Sequence, residues 1–341
     1  MRLSILISMY NAKSHIGNCI ESLLNQNLSK EDYEIIIMDD GSTDDSYSIV
    51  QNYQGKYGNI KLFTQENSGL YTTRNKLLKL AQGDYIYNLD SDDYIVHNCL
   101  NELLSIAEEN DLEIIGFDTL ETFSLDLTGL AKPISSYKTD LCSGVEFIEN
   151  YPKLRHEVWW YFTKREFIQK HKLFFNKNEY NADVVFTLKT LLPAKSIGYI
   201  PVSIHRYVQT QDSLMRSENM EIVINRFEYM QMMILNKSKL IINLENNDQH
   251  SDILIDNLKH RRDVFTFFSI INYIRNHFSL AFIRTKIGQL KAVNAYPVSN
   301  FNKYSFNTLL HNVVLRVINS ERILYGLIYL KNLFVKKSDK L

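Results

Sequence analysis

Glu34-Ile35-Ile36-Ile37-Met38-Asp39-Asp40-Gly41-Ser42-Thr43-Asp44 is a short β-branched run that ends abruptly in carboxylates, a glycine and hydroxyls. Tyr85-Ile86-Tyr87-Asn88-Leu89-Asp90-Ser91-Asp92-Asp93 repeats the pattern: a strand-like stretch, then an acidic cluster. Runs of this length and composition, bounded by Asp, Gly and Ser, read as strands. Both clusters then stand at the carboxyl ends of strands, where open α/β sheets bind their ligands.

Working outward, Leu3–Met9 and Ile60–Thr64 read as two further strands and Ile114–Phe117 as another. Between the first two strands, Ile16, Cys19, Ile20, Leu23 and Leu24 keep the i, i+3, i+4, i+7, i+8 spacing of one helical face, which makes Cys19 a core residue. Thr43–Tyr57, Leu70–Ala81 and His97–Asn110 read as the next helices. Alternation of strands with amphipathic helices is the rhythm of an α/β fold with a mostly parallel sheet flanked by helices. From about Thr119 to Asp140 the periodicity fades into a polar loop. A helix follows over Val184–Leu192, stopped by Pro193, and a strand over Ile197–Ile204. Beyond Arg216 the chain reads as an appended helical domain rich in Ile, Asn, Phe and Lys.

With 341 residues and 45% apolar composition the chain has enough material for a sizeable core. Its net charge of −1 supplies no overall field for nucleic acid, so no nucleic-acid partner is expected. Cys19, Cys99 and Cys142 are widely spaced without a C-x-x-C pair, which fits a reduced, cytoplasmic setting. The longest apolar run, Ile323–Leu330, falls short of the roughly 18 residues a membrane span needs. Residues 311–341 carry Arg316, Arg322, Lys331, Lys336, Lys337 and Lys340 against Glu321 and Asp339, with Val314, Val317, Ile318, Leu324, Leu327 and Ile328 on about one side of a helix. Such a tail either packs as a terminal helix or rests on an anionic membrane surface, and peripheral membrane contact stays open, as does oligomerisation.

Crowded carboxylates raise one another's pKa unless a cation or donor groups compensate them. Mn²⁺ or Mg²⁺ is the natural candidate, since such ions take oxygen ligands from one or two carboxylates and complete their shell with phosphates. An EF-hand calcium loop is disfavoured, because Ile95 stands where that loop needs glycine. Each cluster alone has an ordinary reading as a turn, with Ser42 or Thr43 as a helix N-cap. Two clusters in order, at matching ends of inferred parallel strands, point to a bound cation and diphosphate.

Ile5-Leu6-Ile7-Ser8-Met9-Tyr10-Asn11, Ile37 to Asp44, Asn67-Ser68-Gly69, Arg74-Asn75, Gly83-Asp84-Tyr85-Ile86 and Leu89 to Asp93 together resemble the family 2 glycosyltransferases of the GT-A fold. The resemblance covers about the first 95 residues strongly and runs more diffusely to about residue 216. It implies a nucleotide-sugar-binding part over 1–118, an acceptor-binding part over 119–216 and the helical domain over 217–341. It also implies an Asp-x-Asp metal motif and inverting transfer from a nucleotide sugar, UDP by family habit, to a saccharide or lipid-linked acceptor in surface polysaccharide or glycolipid synthesis.

By the same resemblance Tyr10, Asn11, Asp39 and Asp40 line the nucleotide pocket, and Gly69 and Arg74 approach the donor. Asp90 and Ser91 belong to the donor site, and Asp92 or Asp93, with His205, to the metal. Arg206 is placed near the diphosphate, and Trp159 and Trp160 offer faces for an acceptor sugar. The family's catalytic base matches Asp183 in Asn181-Ala182-Asp183-Val184, although Ala182 stands where the family has Glu, which leaves open whether Glu179 compensates. Read without the resemblance, Asp183 is a helix-start residue favoured by the macrodipole, His205 a structural histidine and the Trp pair core. Alternative functions are a sugar nucleotidyltransferase, which lacks support because Ser8–His15 contains no glycine, and a catalytically silent carbohydrate-binding or assembly subunit, kept open by Ala182.

Overall fold

The computed structural model describes residues 1–151, 155–176, 182–209, 220–247, 251–301 and 308–338. Two compact units divide the chain. One holds Met1–Phe147, Arg155–Asn178 and Ala182–Ser217, and the other Ile148–Leu154, Glu179–Asn181 and Glu218–Leu341. The expected boundary near residue 216, Glu179, and the tail residues Asp339 and Lys340 lie outside the described residues.

The first unit opens with β1 (Leu3–Met9), α1 (Ile16–Leu24), β2 (Tyr33–Asp39), α2 (Ser46–Gln54), β3 (Ile60–Thr64) and α3 (Leu70–Leu80). Then come β4 (Tyr85–Asp90), the short β5 (Tyr94–Ile95), α4 (Leu100–Glu109), β6 (Ile114–Thr122), β7 (Asp140–Cys142) and the start of α5 (Gly144–Asn150), whose residues from Ile148 on count with the second unit. β8 (Tyr161–Lys164), α6 (Arg165–Lys170), α7 (Ala182–Leu191) and β9 (Ile197–Val208) complete it. The strands form one sheet in the order β3-β2-β1-β4-β8-β6-β9-β5, with β7 also paired to β9.

β3, β2, β1 and β4 run parallel, as do β6 and β9. The antiparallel β8 sits between β4 and β6, and β5 and β7 pair antiparallel with β9, so the long pairings are parallel, as expected, and antiparallel pairing is confined to the short strands. β8 belongs to the run Val158-Trp159-Trp160-Tyr161-Phe162, aromatic and β-branched side chains that favour a buried strand and are all buried. Cys19 lies in the core face of α1, as its spacing predicts.

Trp160 fits here because residue 116 on the neighbouring β6 is glycine: a Cβ there would lie 2.6 Å from the indole ring. At the amino-terminal end of β2, Glu34 is fully buried and accepts from Ser4 Oγ at 2.5 Å, the Gln82 N–H at 2.8 Å and Lys61 Nζ at 2.7 Å. Burial alone would raise its pKa, but Lys61, Ser4 and the Gln82 N–H together hold the carboxyl below its usual range.

The second unit contains α8 (Met220–Glu245), α9 (Asp252–Arg275), α10 (Leu280–Lys291), α11 (Leu309–Asn319) and α12 (Glu321–Ser338). Ser251, Ser279 and Thr308 cap α9, α10 and α11 by accepting the N–H of Leu254, Phe282 and His311. Gln231 of α8 donates to the Lys286 carbonyl and accepts from Tyr273, tying three helices together through one amide. The tail expected as one amphipathic helix is two: the chain leaves helical geometry at Ser320, and Asn319 exchanges hydrogen bonds with the Val298 backbone at the end of α11. No helix among the described residues is long and apolar enough to cross a membrane.

Two stability predictions follow from this packing. Gly116→Ala forces the Trp160 ring to move and lowers unfolding free energy by about 1–3 kcal/mol in urea titration. Glu34→Gln costs about 1–3 kcal/mol at neutral pH. Because the folded carboxyl titrates below its unfolded value of 4.5, that difference is fully present above pH 4.5 and shrinks as pH falls through the lower folded value.

Candidate active site

Met38, Ser8 and Asp90 share one row of the parallel register, which brings both acidic clusters to the same edge of the sheet, two strand spacings or about 10 Å apart. The clusters then take different roles. The Asn11 N–H donates to Ser42 Oγ at 2.9 Å and the Thr43 N–H to Asn11 Oδ1 at 2.8 Å, so the ends of β1 and β2 are stitched together. Ser42 and Thr43 therefore do not cap α2. That helix begins at Ser46, where Asp44 accepts the Ser46 N–H. Asp39 is buried and accepts from the Ser42 N–H at 3.2 Å and Thr64 Oγ1 at 3.3 Å.

Asp40 accepts from the Ser68 N–H (2.8 Å) and Gln65 Nε2 (2.6 Å) on one oxygen and from the Gly69 N–H (2.9 Å) on the other. The buried Asp40 carboxylate thus holds the Ser68–Gly69 turn that starts α3, and its expected place beside the nucleotide stays a proposal. Tyr10, by contrast, is exposed at the rim beyond β1.

The second cluster is built for compensation. Carboxylate oxygens of Asp90, Asp92 and Asp93 lie within 4.8 Å of one another, and Ser91 stands half-buried in the turn between them. Burial, then the neighbouring charges of Asp93 and Asp90, pushes the Asp92 carboxyl up to about 7. Burial and Asp90 drive Asp93 in the same direction. Arg74, buried on α3, donates Nη2 to Asp90 Oδ1 at 2.6 Å and Nη1 to Asp183 Oδ1 at 2.7 Å. One guanidinium thus joins the acidic cluster to the first turn of α7. Burial works against its charge, but Asp183 and Asp90 outweigh burial and raise its pKa. Tyr71 and Phe175 put rings 5.8 Å and 5.5 Å from it, and the two rings stack on each other. Asp183 is held above the usual carboxyl range, chiefly by burial, with Arg74 opposing.

His205 approaches the cluster from β9. Its Nε2 lies 3.2 Å from Asp93 Oδ2 without hydrogen-bond alignment, and both atoms are buried with no hydrogen-bond partner. Burial first of all lowers the imidazole pKa to about 3, so the ring is neutral. The other Asp93 oxygen accepts the Val208 N–H at 2.8 Å. A neutral imidazole and an unsatisfied carboxyl oxygen facing each other form a donor set that suits a divalent cation.

Three expected contacts do not hold. Arg206 alternates with His205 along β9 and donates to the carbonyls of Leu127 (2.9 Å), Ser203 (2.7 Å) and Gly129 (3.3 Å), which commits it to loop structure rather than phosphate. Trp159 is buried and stacks on His205 at 4.2 Å and Tyr207 at 5.7 Å, so it supports the histidine from below. Trp160 is buried against Phe147 and offers no face to a sugar. The site also includes Tyr71, which sequence reasoning passed over, and Tyr207, which the resemblance puts beside His205 and Arg206 without a role of its own. Tyr207 has its hydroxyl pKa raised by burial and then by Asp93, Asp92 and Asp90, and Tyr71 shares a face of α3 with Arg74 at i, i+3 spacing. That spacing was readable. Tyr207 needed the fold.

Comparison with known proteins agrees with this architecture. Residues 4–178 match the family described as glycosyl transferase family 2. The chain is 32% identical over 216 residues to the putative glycosyltransferase EpsH of Bacillus subtilis, covering 60% of each chain. It is 35% identical over 207 residues to a poly(ribitol-phosphate) beta-glucosyltransferase of Bacillus spizizenii, covering 58% of this chain and 31% of that one. The chain thus spans less than two thirds of these relatives. In structure it is similar to Staphylococcus aureus TarS 1-349 in complex with UDP-GlcNAc, with a TM-score of 0.66 at 20% identity, covering 87% of this chain and 82% of that one. With half of its length matching the family and the two acidic clusters at one sheet edge, this chain is a member of glycosyl transferase family 2.

Proposed function

We propose that the protein is an inverting glycosyltransferase that moves a sugar from a nucleotide-sugar donor, UDP-linked, to a saccharide or lipid-linked acceptor in surface polysaccharide or glycolipid synthesis. The observation that carries this reading is the Arg74 bridge, which holds a buried carboxylate at the head of α7 in fixed relation to the Asp90–Asp93 cluster. The family match and a structural relative holding UDP-GlcNAc support the donor class.

In this reading Asp183 is the base. The acceptor hydroxyl gives its proton to the Asp183 carboxylate as its oxygen bonds to the anomeric carbon. The bond from that carbon to the diphosphate oxygen breaks, and its electron pair leaves on the diphosphate. A carboxylate held above its usual range by burial is a stronger base than an exposed one. Arg74 and the rings of Tyr71 and Phe175 fix its direction. Asp90, Asp92, Asp93 and His205 are the residues that would hold Mn²⁺ or Mg²⁺. When bound, such an ion supplies positive charge against the charge that develops on the leaving diphosphate. Asp40 keeps the turn before α3 closed, and Tyr10 presents an exposed ring where a base would lie. Ala182 is buried in the first turn of α7, so the acceptor contact that a glutamate there would make has to come from elsewhere.

The reading predicts slow release of UDP from a UDP-sugar in the presence of Mn²⁺, abolished by a chelator. No turnover with any member of a sugar-nucleotide panel, with or without acceptor, overturns it. Asp92→Ala and His205→Ala remove metal-dependent nucleotide binding in calorimetry. Asp183→Asn keeps donor affinity and lowers transfer about 10²–10⁴-fold, whereas unchanged transfer removes Asp183 from the mechanism. Arg74→Met leaves two carboxylates facing each other unpaired, costs about 3–5 kcal/mol in thermal or urea unfolding, and reduces transfer as well.

A further inference from the structure

α11 and α12 bury one side and expose another that is apolar rather than polar. On α11, Ile318 is buried, while Leu309, Leu310 and Val313 are 82%, 71% and 49% exposed. On α12, Leu324 and Ile328, four residues apart, are buried, and Ile323, Leu327 and Leu330 form an i, i+4, i+7 line in solvent, each about half exposed. The helical period puts the two sets on different sides of α12, so this is not the spill-over of a crowded core.

The polar side chains on the exposed side are cationic. Arg316 follows Leu309 by seven residues and Val313 by three, on the same side of α11, and both Arg316 and Arg322 are exposed. Glu321, the acidic residue of the hairpin, is already paired with Lys291 of α10. The sequence continues with Lys336, Lys337 and Lys340 against Asp339. An exposed leucine stripe edged by arginines matches a surface that is anionic outside and apolar beneath.

We propose that the α11–α12 hairpin is a membrane-docking face that seats on the anionic surface of a lipid bilayer, its arginines on headgroups and its leucines in the acyl boundary. The hairpin lies flat and does not span, consistent with the lack of a sufficiently long apolar helix among the described residues. This docking face stands independently of the sugar-transfer reading, since none of its residues belongs to the site on the first unit.

The test is flotation of the full chain with vesicles of phosphatidylcholine alone or mixed with an equal amount of phosphatidylglycerol. The chain is expected to float with the mixed vesicles and not with pure phosphatidylcholine. Arg316→Gln combined with Arg322→Gln weakens that binding by about fivefold per side chain. Leu310→Ser combined with Leu327→Ser weakens it by about tenfold for each. These side chains are exposed, and an unchanged thermal transition checks that the variants fold. UDP-sugar hydrolysis by the same variants is expected to stay at the wild-type level, which separates failure of docking from failure of the donor site. A chain that stays unbound with mixed vesicles overturns the proposal, as does binding indifferent to both double substitutions. A dimer that the leucine substitutions convert to monomer, without vesicle binding, assigns the face to a second copy instead.

Discussion

A single buried guanidinium governs the edge of this sheet where the acidic clusters lie. Arg74 stands between Asp90 and Asp183, two carboxylates that reach it from elements far apart in sequence, and it is shielded from water by Tyr71 and Phe175. Buried charges survive only when paired at good geometry, so each of the three fixes the others. The result couples the turn after β4 to the start of α7 with short charge-assisted bonds, which hold direction better than neutral ones. The position of Asp183 relative to the Asp90–Asp93 cluster is therefore set by the fold itself.

Around this link, the two acidic clusters divide the work. Asp39 and Asp40 are consumed internally, closing the turns that end β2 and begin α3. Asp90, Asp92 and Asp93 are left with crowded charge, and beside them an unsatisfied Asp93 oxygen faces a neutral His205 nitrogen. Asp93 is anchored on its other oxygen by the Val208 N–H, and His205 by the Trp159 ring beneath it. The scaffold thus leaves electrostatic stress in the second cluster and satisfies its carboxylates elsewhere.

Much of this was legible in one dimension. The strands at Leu3–Met9 and Ile60–Thr64 and the helix at Ile16–Leu24 lie where periodicity places them, because β-branched runs and i, i+3, i+4 spacing report burial directly. The central β8 escaped because its four residues follow a Trp pair that also reads as a binding platform. Arg206 and the two tryptophans were misplaced for the same reason: residue type names a capability, and the face of the strand decides its use. The break at Ser320 carries no glycine or proline to announce it, and it depends on Asn319 meeting the Val298 backbone.

The sequence by itself determined that carboxylates terminate buried strands at one end of an α/β sheet, since a run of apolar residues followed by Asp, Gly and Ser dictates both the strand and its stop. Only the tertiary structure decided which carboxylates remain available. Asp40 and Asp92 look alike along the chain, yet one meets backbone N–H groups and the other meets its own neighbours. The free energy of a buried charge depends on what surrounds it in three dimensions, and those surroundings come from segments that no local pattern brings together.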